Sequence, residues 1–374
     1  MRSTLFQDRE FVNVDICCLQ AFSVPSIYLY DDEFSHLMAG SNSVVISSNR
    51  ATLHDVARLS GVSTATVARV LDGSKTVKPA TRDKVTLALQ TLNFRRNDAA
   101  RNLKLGTAST AVGLVVNGFD NPYYAQIAMG AERVLRDAGY HLVLGATDGD
   151  PDNERTVACA MLERRVSAML IISGTKDHDY LSPERAFGTP VIFVGRPPVG
   201  INADCVLVDD RAGVREATKS LLNAGHQQIG VLAGPEGSYP YQERMGGYLE
   251  AMASFGISPN YELIISGIRD SQEAAAIADD MLSTAIRPTA ILGLNRGISV
   301  GVISSIVRSE ISPAFIGVDD FELAAALSIN VIHRKPHELG RRAAELAVQR
   351  IASPEAPNVE IVLQSELIRR NDMS

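Results

Sequence analysis

In the stretch TLHDVARLSGVSTATVARVL (Thr52–Leu71), the guanidinium of Arg69 follows a group of hydroxyls, with small and apolar residues set between them at fixed intervals. These side chains suit hydrogen bonding to phosphates and base edges rather than bond making, and a bidentate arginine on guanine is the commonest specific base contact. Numbered from Leu53, a small residue falls at the fifth position (Ala57), a glycine at the ninth (Gly61) and a valine at the fifteenth (Val67). Two helices crossing at a tight turn need close approach, a positive φ and an apolar plug at those places. Val56, Val62 and Val70 supply further apolar contacts, so the spacing predicts a helix-turn-helix whose second helix enters the major groove. An ordinary surface pair of helices is the alternative.

The elements that must position this motif follow it directly. Pro79–Asn93 reads as a third helix, with proline at its start and Val85, Leu89 and Leu92 on one face to close a small core. In NFRRNDAARNLKLG, Asn97 can cap a short helix with Ala99, Ala100 and Leu103 on one side and Arg101 and Lys104 on the other. Too short to persist alone, such a segment is expected to fold on DNA, with Leu103 wedging between base steps in the minor groove. A plain interdomain linker is the alternative.

These motifs resemble those of the LacI/GalR family of transcription regulators, and the resemblance covers about residues 51–374. It implies that Arg69 reaches a guanine, that Thr64 and Ala65 tune operator choice, and that Leu103 opens a central C-G step. Thr52, Ser63, Thr66, Asn97, Ala100, Arg101 and Lys104 complete the expected DNA-facing set. Two positions depart from the family pattern: Ala68 stands where serine is usual and Arg96 replaces a hinge-entry proline. Arg95 and Arg96 add candidate phosphate contacts and a steeper salt dependence.

Charge is distributed accordingly. The 374-residue chain carries a net charge of −7, yet Arg50–Lys104 holds eleven basic and four acidic residues, a balance of +7 that leaves −14 for the remainder. A basic head on an acidic body is the electrostatic footprint of a DNA binder that keeps its body off the duplex. Hydrophobic residues at 45% suffice for two or more packed domains. Four cysteines, two of them adjacent (Cys17 and Cys18), do not make a disulfide framework, which points to the cytoplasm. No membrane span or signal peptide is recognisable. Residues 1–49 show no clear periodicity and contain Met38, so they read as a disordered extension or a start assigned too early, with no role.

From Thr110 onward, short β-branched runs alternate with helices. AVGLVV, HLVLG, AMLII and PVIFV read as strands, with helices near Tyr123–Ala138, Asp152–Arg164 and Pro183–Phe187. A second series, QIGVLAG, ELIIS, AILGL and AFIGV, carries helices near Gln242–Phe255, Ser271–Thr284, Ile298–Val307 and Phe321–Leu327, and Lys335–Ile351 forms another. The expected fold is a small all-α helix-turn-helix head (50–94) joined by a hinge helix and linker (95–109) to an α/β periplasmic-binding-protein-like body (110–374) of two doubly wound subdomains. The first subdomain would take about 110–208 and 332–356, and the second about 209–330 and 357–374. A ligand would sit between them at the carboxyl ends of the strands.

For that cleft the resemblance implies an aromatic contact from Tyr123 or Tyr124, an arginine (Arg244) that fixes a hydroxyl or carboxylate, and polar contacts from Asn295 and Asp319. Each has a structural alternative: core packing for the tyrosines, an interdomain ion pair for Arg244, a strand-end cap for Asn295 and a helix N-cap for Asp319. Gly195 and Arg196 replace an Asp-containing pair of sugar-binding relatives. Arg296 stands where Asp is common, and Gly267 and Ile268 where an acidic and an aromatic residue are frequent. Acidic acceptors are lost and guanidinium is gained, which favours a sugar acid or sugar phosphate, with a neutral sugar or a nucleoside as alternatives.

Enzyme signals are weak. Gly297-Ile298-Ser299-Val300-Gly301 fits G-x-S-x-G and is followed by Asp319 and His333, but Ser299 would fall inside a helix instead of on a sharp elbow. His333 and His337 are separated by Pro336 and do not make a metal site. No catalytic residue, metal or cofactor is expected. The reading is a homodimeric repressor that binds a pseudopalindromic DNA operator under control of a small-molecule effector, with no membrane partner. With the chain ending soon after LIRRND, a dimer without a C-terminal tetramerisation helix is the expectation. A solute-binding protein with a non-functional head is the alternative.

Overall fold

A computed structural model describes residues 51–74, 76–94, 109–183 and 185–372. The chain divides into two compact units, Met1–Arg96 and Asn97–Ser374. Residues 1–49, Arg95, Arg96 and the expected hinge positions Asn97, Ala100, Arg101, Leu103 and Lys104 lie outside the described residues.

The head contains α1 (Leu53–Ser60), α2 (Thr64–Leu71) and α3 (Pro79–Thr91). Its core is Val56, Ala57, Val67, Val85 and Ala88, ringed by Val62, Val70, Leu71, Leu89, Leu92 and Phe94. Gly61 ends α1 at φ +68°, and its N–H donates to the Ala57 carbonyl. Only a residue without a Cβ takes that turn at little cost. Pro79 opens α3, where its missing N–H leaves no bond unmade.

The body begins with β1 (Ala111–Val116), α4 (Pro122–Asp137), β2 (His141–Ala146), α5 (Pro151–Glu163), β3 (Ala168–Ile171), β4 (Val191–Val194) and β5 (Asp204–Asp209). It continues with α6 (Asp210–Asn223), β6 (Ile229–Leu232), α7 (Tyr239–Ser254), β7 (Ile264–Ile265), α8 (Ser271–Ser283), β8 (Ala290–Gly293), α9 (Arg296–Arg308) and β9 (Ala314–Val318). It closes with α10 (Glu322–Ala326), β10 (Asn330–His333), α11 (Pro336–Ala352), β11 (Glu360–Gln364) and β12 (Glu366–Ile368).

Two six-stranded sheets result, ordered β11-β5-β4-β3-β1-β2 and β12-β10-β9-β8-β6-β7. Every pairing is parallel except β10 with β12. Central strands such as β3, β4, β6 and β8 are buried along their whole length, because helices cover both faces. The chain passes between the halves at Asp209–Asp210, again between His333 and Pro336, and finally at Ser365. At the last crossing the Ser365 hydroxyl donates to the Asp209 carbonyl, which ties it to the first.

Two expectations need correction. Residues 357–374 do not belong wholly to the second half: β11 pairs in parallel with β5 in the first sheet, and only β12 joins the second. Strand pairing divides this segment at Ser365, which its alternation alone does not reveal. The described residues of 183–187 form turns, not the expected helix. A short 3₁₀ turn at Asp179–Leu181 precedes it, and Phe187 and Gly188 both take positive φ, which ends any helical run.

Helices α4 and α11 cross at two glycines. A Cβ at Gly340 would lie 1.9 Å from the Ile127 carbonyl oxygen, and one at Gly130 2.0 Å from that of His337. Since both obstacles are backbone, neither can swing aside. Gly340→Ala is therefore expected to destabilise the body by about 2 kcal/mol or more, measured as the loss in unfolding free energy in urea; an unchanged midpoint would show that these helices separate freely.

Candidate functional site

In the head, Thr52 caps α1 through a reciprocal box: its hydroxyl accepts from the Asp55 N–H, and the Asp55 carboxylate accepts from the Thr52 N–H. Ser63 caps α2 by accepting from the Thr66 N–H at 3.2 Å, and the two hydroxyls lie 2.9 Å apart. These hydroxyls therefore have structural work at the helix starts. Thr64, Ala65 and Arg69 are exposed, with Ala65 and Arg69 one turn apart on the same helix. Arg69 has no ion-pair partner among the described residues, which leaves its five donors for an external acceptor.

In the body, a cleft of about 490 Å³ opens at the carboxyl ends of the strands, a size suited to a small ligand. Tyr123, Tyr124, Arg196, Arg244, Asn295, Arg296 and Asp319 all line it. The first half supplies Tyr123 and Tyr124 from the start of α4 and Arg196 from the loop after β4, while the second supplies the others. Asn295 has two roles, because its side chain also accepts from the Ile298 N–H and caps α9. Asp319 is not the cap of α10, whose N-cap is Phe321.

A buried charge cluster forms the floor. Arg244 donates to Asp210 at 2.9 Å and to the Leu294 carbonyl at 2.6 Å. Arg334 donates to Asp319 at 2.8 Å and lies 3.5 Å from Asp210. The Arg334 guanidinium also stands 4.0 Å over the Tyr123 ring, so it links the first half to the carboxylates beside the crossings. Burial alone would raise the Asp210 pKa, but Arg244 and Arg334 outweigh it and hold this carboxyl below its ordinary value. Burial likewise opposes the charge on Arg334, and Asp319, Tyr123 and Asp210 keep it protonated. Burial pushes the Tyr123 hydroxyl upward, so it stays neutral.

Asp210, Arg334 and Arg269 were missed by sequence reasoning. Asp210 had one available signal, an aspartate pair ending a β-branched run; Arg334 had only its place just before Pro336. Arg269 lines the cleft but is paired with Glu273 at 3.3 Å. Arg196 and Arg296 differ: among the described residues neither has a carboxylate partner, and Arg296 lies 5.2 Å from the Phe321 ring. Burial weakens the hold of Arg196 on its proton, as expected of an uncompensated cation. The buried Arg244 Nε also has no hydrogen-bond partner.

Ser299 cannot act as a nucleophile in this arrangement. Fully buried inside α9, its hydroxyl accepts from the Val318 N–H and is aimed at the carbonyls of Asn295 and Gly293. Among the described residues no cluster has the ligands for a metal ion, and no helix is long and apolar enough to cross a membrane.

Residues 109–361 match the family described as periplasmic binding proteins and sugar binding domain of LacI family, and residues 52–97 match bacterial regulatory proteins, lacI family. The HTH-type transcriptional repressor PurR of Photobacterium profundum is 31% identical over 330 residues, which span 86% of this chain and 98% of that protein. The ribose operon repressor of Escherichia coli K12 is 31% identical over 333 residues, 86% and 99% of the two chains. Among solved structures, the CelR–cellobiose complex is 26% identical with a TM-score of 0.63 and covers 86% of this chain and 100% of its own. The Lac repressor dimer bound to operator and the anti-inducer ONPF, at 23% identity, shares the fold with a TM-score of 0.73 over 86% of this chain and 99% of its own. The PurR and ribose operon relatives are repressors, not enzymes.

Removing one member of a buried ion cluster leaves a charge uncompensated. Arg334→Gln is expected to cost about 3–5 kcal/mol of stability, with part recovered when Asp319→Asn is added; additive losses in denaturant unfolding would show the pair to be uncoupled. The acid limb has a definite sign. With its folded pKa depressed, Asp210 contributes stability above the unfolded value near 3.8 that is lost as pH falls through the lower folded value. Acid unfolding followed by circular dichroism should therefore steepen below about pH 4, and Asp210→Asn should flatten it.

Proposed function

Because the chain belongs to the LacI family of bacterial regulatory proteins, we propose that it represses transcription in the cytoplasm. It binds a pseudopalindromic operator as a homodimer, and an anionic small molecule in the body cleft controls that binding. The DNA reading is supported by Thr64, Ala65 and Arg69 exposed together on α2, and by the excess of basic over acidic residues in Arg50–Lys104. Thr52, Ser63 and Thr66 hold the helix starts that present them, and Asn97, Ala100, Arg101, Leu103 and Lys104 extend the contact toward the minor groove. A second copy would cover apolar surface on the edge strand β2, where Val143 and Leu144 are exposed.

For the effector, the single observation that carries the reading is the pair Arg196 and Arg296, one from each half of the cleft and neither matched by a carboxylate among the described residues. Asp319, which would otherwise accept from sugar hydroxyls, is already committed to Arg334. Guanidinium forks match phosphate and carboxylate geometry. A sugar phosphate or sugar acid fits this set, with the tyrosines and Asn295 available to its uncharged part. A ligand gripped from both halves favours closure, and closure couples the cleft to DNA affinity by differential binding.

Selecting bound genomic fragments with the purified protein should enrich a palindrome centred on a C-G step; absence of any enriched motif would overturn the operator reading. On that site Arg69→Ala is expected to cost about 1–3 kcal/mol and relax preference at one symmetric base pair. For the ligand, calorimetry should show tighter binding of sugar phosphates or acids than of the parent sugars. Tight binding of a neutral sugar with indifference to its phosphate would remove the anionic effector.

A further inference from the structure

A buried polar chain lies behind the loop that carries Arg196. Glu154 of α5, Ser173, His178 and Tyr180 are each at most 5% exposed. The Val199 N–H donates to His178 Nδ1 at 2.8 Å, and His178 Nε2 lies 2.8 Å from the Ser173 hydroxyl. That hydroxyl is 2.7 Å from Glu154 Oε1, which also accepts from the Tyr180 hydroxyl at 2.7 Å, while the Gly174 N–H donates to Glu154 Oε2 at 2.6 Å. An Nδ1 that accepts from an amide places the imidazole proton on Nε2, so Nε2 donates to Ser173 and Ser173 donates to Glu154. Burial holds His178 below its ordinary pKa of 6.5, against the opposing pull of Glu154 and Asp177, which keeps the neutral acceptor form in place. Phe193 packs on the ring at 4.6 Å and fixes its plane.

The backbone N–H bonds of the loop Gly195–Val199 lie at its two ends. Gly195 bonds back to the Val206 carbonyl at one end, and Pro197 and Pro198 have no N–H to give. Val199 carries the first amide after the prolines, and His178 receives it.

We propose that His178 is a positioning residue for effector recognition: by holding the Val199 amide it fixes the loop from which Arg196 projects into the cleft. Glu154 and Ser173 set the tautomer and orientation of the ring. The proposal rests on the anionic reading of the cleft above. The two sides of the imidazole can be tested separately, because asparagine reproduces the Nδ1 acceptor and glutamine the Nε2 contact.

Calorimetric titration of the full-length protein with inorganic phosphate, for the wild type and Arg196→Gln, His178→Asn and His178→Gln, is the test. It is paired with hydrogen exchange of the 195–200 segment by mass spectrometry, where the two prolines leave Val199 readable. Arg196→Gln and His178→Gln are expected to weaken phosphate binding by about tenfold or more, the scale of one charge-assisted hydrogen bond. His178→Asn should stay within about twofold of the wild type by the same reasoning, and the segment should exchange faster only in His178→Gln. A loss with Arg196→Gln but not with His178→Gln, or equal losses with His178→Asn and His178→Gln, overturns the positioning role alone. Absence of phosphate binding by the wild type, or indifference to Arg196→Gln, overturns the anionic reading on which it rests.

Discussion

Four charges cannot be buried at one place unless they satisfy one another, and that constraint organises the body of this protein. Asp210 stands where the chain first crosses between the halves and Arg334 where it crosses back. Asp319 directly follows the strand beside the second crossing, and Arg244 reaches in from α7. Each guanidinium has a carboxylate within hydrogen-bond distance, and Arg334 places its free face on Tyr123 of the opposite half. The backbone accommodates this at a cost. Asp319, after β9, and Lys335, within the return crossing, take φ of +71° and +50°, a region that non-glycine residues enter only when their surroundings hold them there.

The character of the cleft follows from that cluster. With Asp319 and Asp210 neutralised by Arg334 and Arg244, the acidic acceptors of the floor are spent inside the protein. Arg196 and Arg296 stand on the walls without such compensation among the described residues, the observation on which the proposed anionic effector rests. The loop that carries Arg196 is in turn hydrogen-bonded at Val199, through His178, Ser173 and Glu154, to α5. Side chains that line the cleft are thus backed by hydrogen bonds deeper in the fold.

The head obeys the same principle on a smaller scale. Helix starts expose amides that need acceptors, and Thr52 with Asp55 and Ser63 with Thr66 provide them. Residues assigned by resemblance to DNA contact are therefore partly engaged in holding the two helices that form the reading surface. Thr64, Ala65 and Arg69 are exposed without such a capping role.

Local spacing determined the head, because a tight crossing of two helices admits only small residues at Ala57 and a left-handed residue at Gly61 whatever surrounds them. Alternation of β-branched runs with helices likewise determined the two mostly parallel sheets, and the seven expected cleft residues meet at one opening. Tertiary structure alone decided which charges are spent and which are available. Arg244, Arg334, Arg196 and Arg296 have the same side chain, and only their burial and partners separate the paired from the unpaired. Strand pairing across 155 positions, as between Glu360 and Cys205, decided where the terminal segment divides between the sheets. The Val199 amide meeting His178 across 21 residues is of the same kind, a contact that no local periodicity encodes.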